Sequence, residues 1–174
     1  MRSGAFRCLL SVAVIALLPA SVAAQEVEVL GTFGDWEAAL YTEGGARTCY
    51  LTSTPKKAEG KYTKRGEIYA RVTHRPAGHE VGVVSITTGY NYREGSEVEV
   101  KIGGHQFTLY THPATPDTAW AYDEEERTLV QAMIGGKTMV VRGTSWRGTL
   151  TEDTYSLTGF TAGYKAISKA CGVS

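Results

Sequence analysis

The chain has 174 residues, 43% of them hydrophobic and 21% charged, and its 18 Lys and Arg balance its 18 Asp and Glu to a formal charge of zero. That length supports one domain, and the ordinary hydrophobic content excludes a disordered chain and a polytopic membrane protein. Zero net charge excludes the cationic footprint of a nucleic-acid binder.

Arg2 and Arg7 flank the start, and an apolar run from Cys8 to Leu18 follows. Pro19 ends it, and small residues continue to Ala24. A positive head, a short apolar stretch and an A-x-A-like end predict a secretory signal peptide over 1–24, cleaved near Ala24. The run is too short for a spanning helix, which needs about 20 apolar residues. The expected location is therefore the periplasm or the cell exterior, with no membrane-spanning segment after processing and a single mature domain over 25–174. Cleavage would also remove Arg2, Arg7 and Cys8, leaving a net charge of −2 and two cysteines, Cys49 and Cys171.

An even cysteine count in an oxidising compartment favours pairing over two separately buried thiols. The spacing excludes a C-x-x-C redox motif and a zinc knuckle. A bridge closing so long a loop stabilises by about 4–5 kcal/mol on the chain-entropy view.

Short strands bounded by turn residues are predicted at 26–30, 34–41, 47–53, 66–74, 80–88, 96–102, 105–111, 118–122, 137–142 and 150–158. This is the pattern of a sandwich or barrel. The sharpest local prediction is a hairpin through Gly103-Gly104, whose pair of glycines suits a tight turn. Its register sets Ile102 against His105, Val100 against Phe107 and Val98 against Leu109, with Glu99 opposite Thr108, so that one face is apolar and the other polar. The stretch 55–65 is polar and strongly basic and reads as a mobile connection.

Two helices are expected. Asp123, Glu124, Glu125 and Glu126 open the first, with Asp123 as cap and Glu126 three residues on completing a box-like arrangement. Leu129, Val130, Met133 and Ile134 then recur at helical spacing until Gly135. The acidic run suits the positive end of a helix dipole better than a metal. The second helix runs over about 162–170, capped by Thr161 and ended by Gly172, and carries Cys171 at its end.

The short motifs carry little chemistry. Gly135-Gly-Lys-Thr138 lacks the leading glycine of a phosphate loop, since Gln131 stands there, and its strand–helix order is reversed. Gly143-Thr-Ser-Trp-Arg-Gly148 misses the G-x-S-x-G spacing of a nucleophile elbow and reads as a turn. His74, His79, His105 and His112 lack the convergence a metal needs and read as surface side chains. No cofactor is expected. Asp35, Glu37, Glu152 and Asp153 are available as carboxylates for glycoside hydrolysis, a pairing that only a fold could assemble.

Several stretches resemble the invasion-associated locus B family of exported bacterial proteins: Phe33-Gly-Asp-Trp36, Val72-Thr-His-Arg-Pro76, Gly95-Ser-Glu-Val-Glu-Val100, Gly143-Thr-Ser145 and Asp153-Thr-Tyr-Ser-Leu-Thr-Gly-Phe-Thr161. The resemblance runs along nearly all of 31–173. It implies an immunoglobulin-like antiparallel β-sandwich in the periplasm or cell envelope, no catalytic residue set, and a role connected with host-cell invasion, red cells in particular. Many members carry a further cysteine after the G-D-W stretch, where this chain continues Glu37-Ala-Ala-Leu-Tyr41, so Cys49 and Cys171 are the only pair available for a bridge.

The expected function is therefore contact with a protein or envelope partner through loops 55–65, 75–79, 89–95 and 143–149. Within these, Arg75, Tyr90, Tyr92, Trp146 and Arg147 are the candidate contact residues, although for the two tyrosines core or strand-end packing is the favoured reading. The rival expectations are a periplasmic hydrolase acting on cell-wall sugars and a chaperone-like factor that adds a strand at a sheet edge.

Overall fold

The computed structural model describes residues 26–173. The expected signal peptide lies outside the described residues.

Among the described residues there are eleven strands, most of which alternate inward apolar and outward polar side chains, the period that strand geometry imposes on a half-buried sheet. They are β1 (Val27–Phe33), β2 (Trp36–Glu43), β3 (Ala46–Ser53), β4 (Lys57–Gly60), β5 (Tyr69–Arg75), β6 (Glu80–Thr87), β7 (Val98–Ile102), β8 (His105–His112), β9 (Thr115–Ala121), β10 (Thr138–Thr144) and β11 (Leu150–Ser156). Two helices complete the fold, α1 (Asp123–Gly135) and α2 (Phe160–Cys171), and a single 3-10 turn spans Pro76–Gly78.

All pairings are antiparallel, in the order β1-β2-β3-β5-β6-β9-β8-β7-β10-β11-β4, and the ladder does not close into a barrel. The result is a mostly β fold in which one continuous sheet doubles over its own inner face, the expected sandwich built without a break between layers. The β1–β2 turn comes back against the end of β11. There Trp36 donates its indole N–H to the Ser156 carbonyl at 2.9 Å, and the Asp35 N–H bonds the Thr158 carbonyl at 3.0 Å. Gly159 (φ 88°) makes that approach possible, because a Cβ there would stand 1.9 Å from the Phe33 carbonyl oxygen.

The core gathers Trp36, Leu51, Val72, Ile86, Leu109, Met139 and Tyr155 from both layers. Phe160 meets Trp36 edge-on at 5.0 Å, so α2 lies over the inner face of β1, β2, β3 and β5. Its end is tied down by a disulfide between Cys49 and Cys171, with Cα atoms 6.0 Å apart. Leu129, Val130 and Met133 anchor α1 beside β6 and β8.

The β7–β8 hairpin has the expected register throughout: Val98–Leu109, Glu99–Thr108, Val100–Phe107 and Ile102–His105. Three local expectations are corrected. Asp123 is not the cap of α1. Tyr122 takes that position in extended conformation with no side-chain cap bond, so the acidic run fills the first helical turn itself and acts through the helix dipole alone. Thr161 does not cap α2 either, for Gly159 does, and Thr161 instead donates to the Ile134 carbonyl at 3.2 Å, pinning one helix to the other. The segment 55–65 is no loose connection. Its first half is β4, which pairs with β11 from Thr154–Lys57 to Thr151–Gly60, and its last residue is buried. Backbone pairing, which needs no apolar side chain, built that strand.

Candidate contact surfaces

Arg65 organises the end of the molecule where three of the four expected contact loops meet. Its guanidinium makes a two-pronged bond to Asp153 (2.7 and 2.6 Å), and its Nε donates to the Thr88 carbonyl at 2.9 Å. The Tyr62 and Tyr90 rings flank it, each 5.1 Å away. Both charged side chains are almost wholly buried. Burial opposes the charge on Arg65, but the hydrogen bond and charge of Asp153 outweigh it and hold the guanidinium above its ordinary pKa. Gly66 and Gly89 permit the crossing. The Gly66 N–H bonds the Gly89 carbonyl at 2.8 Å, and a Cβ on Gly89 (φ 69°) would stand 2.6 Å from Gly66 backbone.

Above this pair lies a cleft of about 420 Å³ whose walls include Lys61, Lys64, Tyr90, Trp146 and Arg147. Trp146 is 61% exposed, with the Arg147 guanidinium 4.7 Å from its ring. Among the described residues Lys61, Lys64 and Arg147 have no ion-pair partner, and no acid lines the cleft. Of the five candidate contact residues, the structure thus gathers three here: Tyr90, Trp146 and Arg147.

Tyr92 is corrected. It is only 4% exposed and packs edge-on against Tyr90 at 5.4 Å inside the core, because its strand-like bridge to Ser145 turns the ring inward. Arg75 is not brought to the cleft. It ends β5 six residues beyond Tyr69, roughly 20 Å up the strand, and is ion-paired with Glu80.

The carboxylates suggested for hydrolysis do not converge. Asp35 is held by Lys56, which together with Ser156 keeps its carboxyl below the usual range. Glu152 pairs with Arg142 at 2.6 Å, Asp153 is locked to Arg65, and Glu37 faces out from β2. Among the described residues no group of three or more His, Cys, Asp or Glu side chains is placed to hold a metal.

His74 is corrected too, for it is fully buried. Its Nδ1 accepts the Gly82 N–H at 2.9 Å, which places the proton on Nε2, facing the Ser168 hydroxyl at 3.1 Å. Burial lowers its pKa to about 4. The first turn of α1 borders a depression of about 940 Å³, where burial first, and then the charges of Asp123 and Glu80, raise Glu126 to about 7.

One surface escaped the sequence, where the tyrosines and tryptophans read as core and cross-strand packing. The outer face of β2, β3, β5, β6 and β9 carries Tyr41, Tyr50, Tyr69, Arg71 and Trp120 among Thr and Ser side chains. Register aligns Glu37, Thr52, Arg71, Ser85 and Trp120 in one row across five strands. The available signal was alternation, since Tyr69 and Arg71 interleave with the inward Ala70 and Val72.

The fold and these surfaces define a class: a disulfide-tied antiparallel sandwich that carries a basic, aromatic loop cleft and an aromatic sheet face. The family profile of the invasion associated locus B (IalB) protein matches residues 36–168, and the chain belongs to that family. It is similar in fold to the crystal structure of invasion associated protein B from Bartonella henselae, at TM-score 0.56 and 16% identity, covering 85% of this chain and 97% of that one. No curated protein matches the chain at a significant level. Among the described residues no helix is long and apolar enough to cross a membrane.

Proposed function

We propose that the mature chain is an exported, non-enzymatic protein of the bacterial periplasm, envelope or exterior that acts by surface contact, host-cell invasion being one use of that contact. The observation that carries this reading is the loop cleft, where an exposed Trp146 and the unpaired Lys61, Lys64 and Arg147 converge over a rigid buried floor. Exposed aromatic and Arg side chains on a fixed scaffold are what binding hot spots use. The carboxylate beneath the cleft, Asp153, is neutralised by Arg65, which leaves no base there for hydrolysis.

The test has two arms. Expressed with its leader in a bacterium, the protein should be recovered from periplasm or medium with the first 24 residues removed. It should bind host cells or isolated envelopes saturably, and a Trp146→Ala/Arg147→Ala variant of unchanged melting temperature should bind about tenfold more weakly or worse. Equal binding by that variant, or release of sugars from cell wall by the wild type, would sink the reading.

A further inference from the structure

Arg71 projects from the middle of β5 onto the outer sheet face, between the rings of Tyr50 (4.7 Å) and Tyr69 (4.9 Å). Among the described residues it meets no carboxylate, and its Nε is buried without a hydrogen-bond partner. The depression it lines, about 130 Å³, carries hydroxyls from Thr73, Ser85, Thr87 and Thr118, and no acid; a second arginine, Arg75, borders it but is ion-paired with Glu80. That Nε is out of a partner's reach, so the edge open to an acceptor is the Nη1/Nη2 pair, the same edge by which Arg65 grips Asp153. The Tyr rings have already fixed the guanidinium, so little further entropy is lost when it binds.

The same molecule shows what such an arginine takes. Arg65 also lies between two tyrosine rings, and a carboxylate fills its fork. We propose that Arg71 is the centre of a docking face for a partner protein and receives, two-pronged, the carboxylate of an Asp or Glu side chain on that partner. Charge complementarity fixes the acid. The protein follows from size and composition: the depression holds a side-chain tip, whereas small-ligand pockets run to about 300 Å³ or more. A Tyr, Trp and Arg centre ringed by hydroxyls is the composition of an interface core. The faces of Tyr50 and Tyr69 that meet Arg71 are, besides, closed to stacking on a sugar. This surface is separate from the loop cleft, and the inference stands whether or not the cleft is a contact site.

The test is an NMR titration of 15N-labelled protein with the capped peptide Ac-Thr-Glu-Thr-Glu-Thr-NH2 and its Gln counterpart, following the Arg71 Nε–H and Trp120 indole resonances. The Glu peptide should shift both saturably. The Gln peptide, and Arg71→Gln with the Glu peptide, should bind about tenfold more weakly or worse, with Arg71→Lys between. The Trp146→Ala/Arg147→Ala variant should bind like the wild type. If Arg71→Gln fails to fold, Arg71→Lys carries the comparison. Equal binding of the Gln peptide, undiminished shifts in Arg71→Lys, tighter binding of a glucuronate oligosaccharide, or a wild-type dimer that Arg71→Gln dissociates would each overturn the proposal.

Discussion

Arg65 and Arg71 sit six residues apart in sequence, each between two tyrosine rings at 4.7–5.1 Å, and they differ in their polar partners. Arg65 has its carboxylate inside the fold, 88 residues along the chain at Asp153. Arg71 has none. The surfaces around them differ in the same way. The outer face of β7, β10, β11 and β4 closes its charges on itself: Glu99 with Lys101 (3.0 Å) and Arg142 (3.2 Å), Arg142 with Glu152 (2.6 Å), Lys57 with Glu59 (2.8 Å). Around Arg71 the depression offers hydroxyls and rings and no acid; the acid in its register row, Glu37, stands two strands away and forms no ion pair with it. Pairs formed in water add little to stability, so the ladder's consequence is that it leaves nothing for a partner. The lesson is that binding capacity in this molecule follows from which charges remain unpaired.

The harshest way to test the contrast is to open the closed arginine. Asp153→Asn leaves a buried Arg65 without its counter-charge and should cost about 3–5 kcal/mol in urea denaturation. Replacing both members with apolar residues should recover much of that loss, since removing half of a buried ion pair strands a charge and removing the whole pair does not. Acid should act next, from the opposite end of β5. His74 is neutral and buried with a pKa near 4, while the unfolded chain binds that proton near 6.5. The unfolded state therefore holds more protons between those values, and stability should fall by roughly 3 kcal/mol as pH drops from 6.5 to 4. His74→Gln should flatten that slope, whatever it costs in absolute stability.

Glu126 runs the other way. Its folded pKa is raised to about 7, so the native state holds the extra proton between about 4.5 and 7, and stability declines as pH rises through that window. Glu126→Gln should remove this decline and gain roughly 1–2 kcal/mol at pH 8, the partial exposure of the side chain limiting the gain. The smallest effect concerns an orphan on the inside. The Tyr155 hydroxyl is buried without a partner, and burial pushes its pKa above the ordinary range. Tyr155→Phe should be neutral or stabilise by up to about 1 kcal/mol, because it removes a buried hydroxyl that has no hydrogen-bond partner.

What the sequence disclosed divides along the same line. The β7–β8 hairpin, including every residue pair from Val98–Leu109 to Ile102–His105, was legible because register there depends on a two-glycine turn and strict alternation. Gly172 was legible as the end of α2 because it takes φ 64° and caps the last turn. Trp146 and Arg147 stood out because a turn exposes them. The fate of Arg65 was not legible: its carboxylate is distant in the chain, and the surrounding Lys61, Lys64 and Tyr62 read as a solvated basic stretch. The packing of Tyr92 was the favoured reading, but its means was not legible, since a turn-like context conceals a bridge to Ser145 that only the folded sheet supplies. Arg71 was overlooked because tyrosines near β-branched residues read as core, whereas the strand period puts Tyr50, Tyr69 and Arg71 outside.

Urea denaturation of Arg65→Gln and Arg71→Gln side by side separates the two arginines most directly. A closed pair under Arg65 and an open fork at Arg71 predict a loss of about 3–5 kcal/mol for the first and about 1–2 kcal/mol for the second, the worth of its two cation–π contacts alone. Equal losses would mean that the fold depends on Arg71 no less than on Arg65, and the distinction between a paired interior and an unpaired, binding exterior would fail.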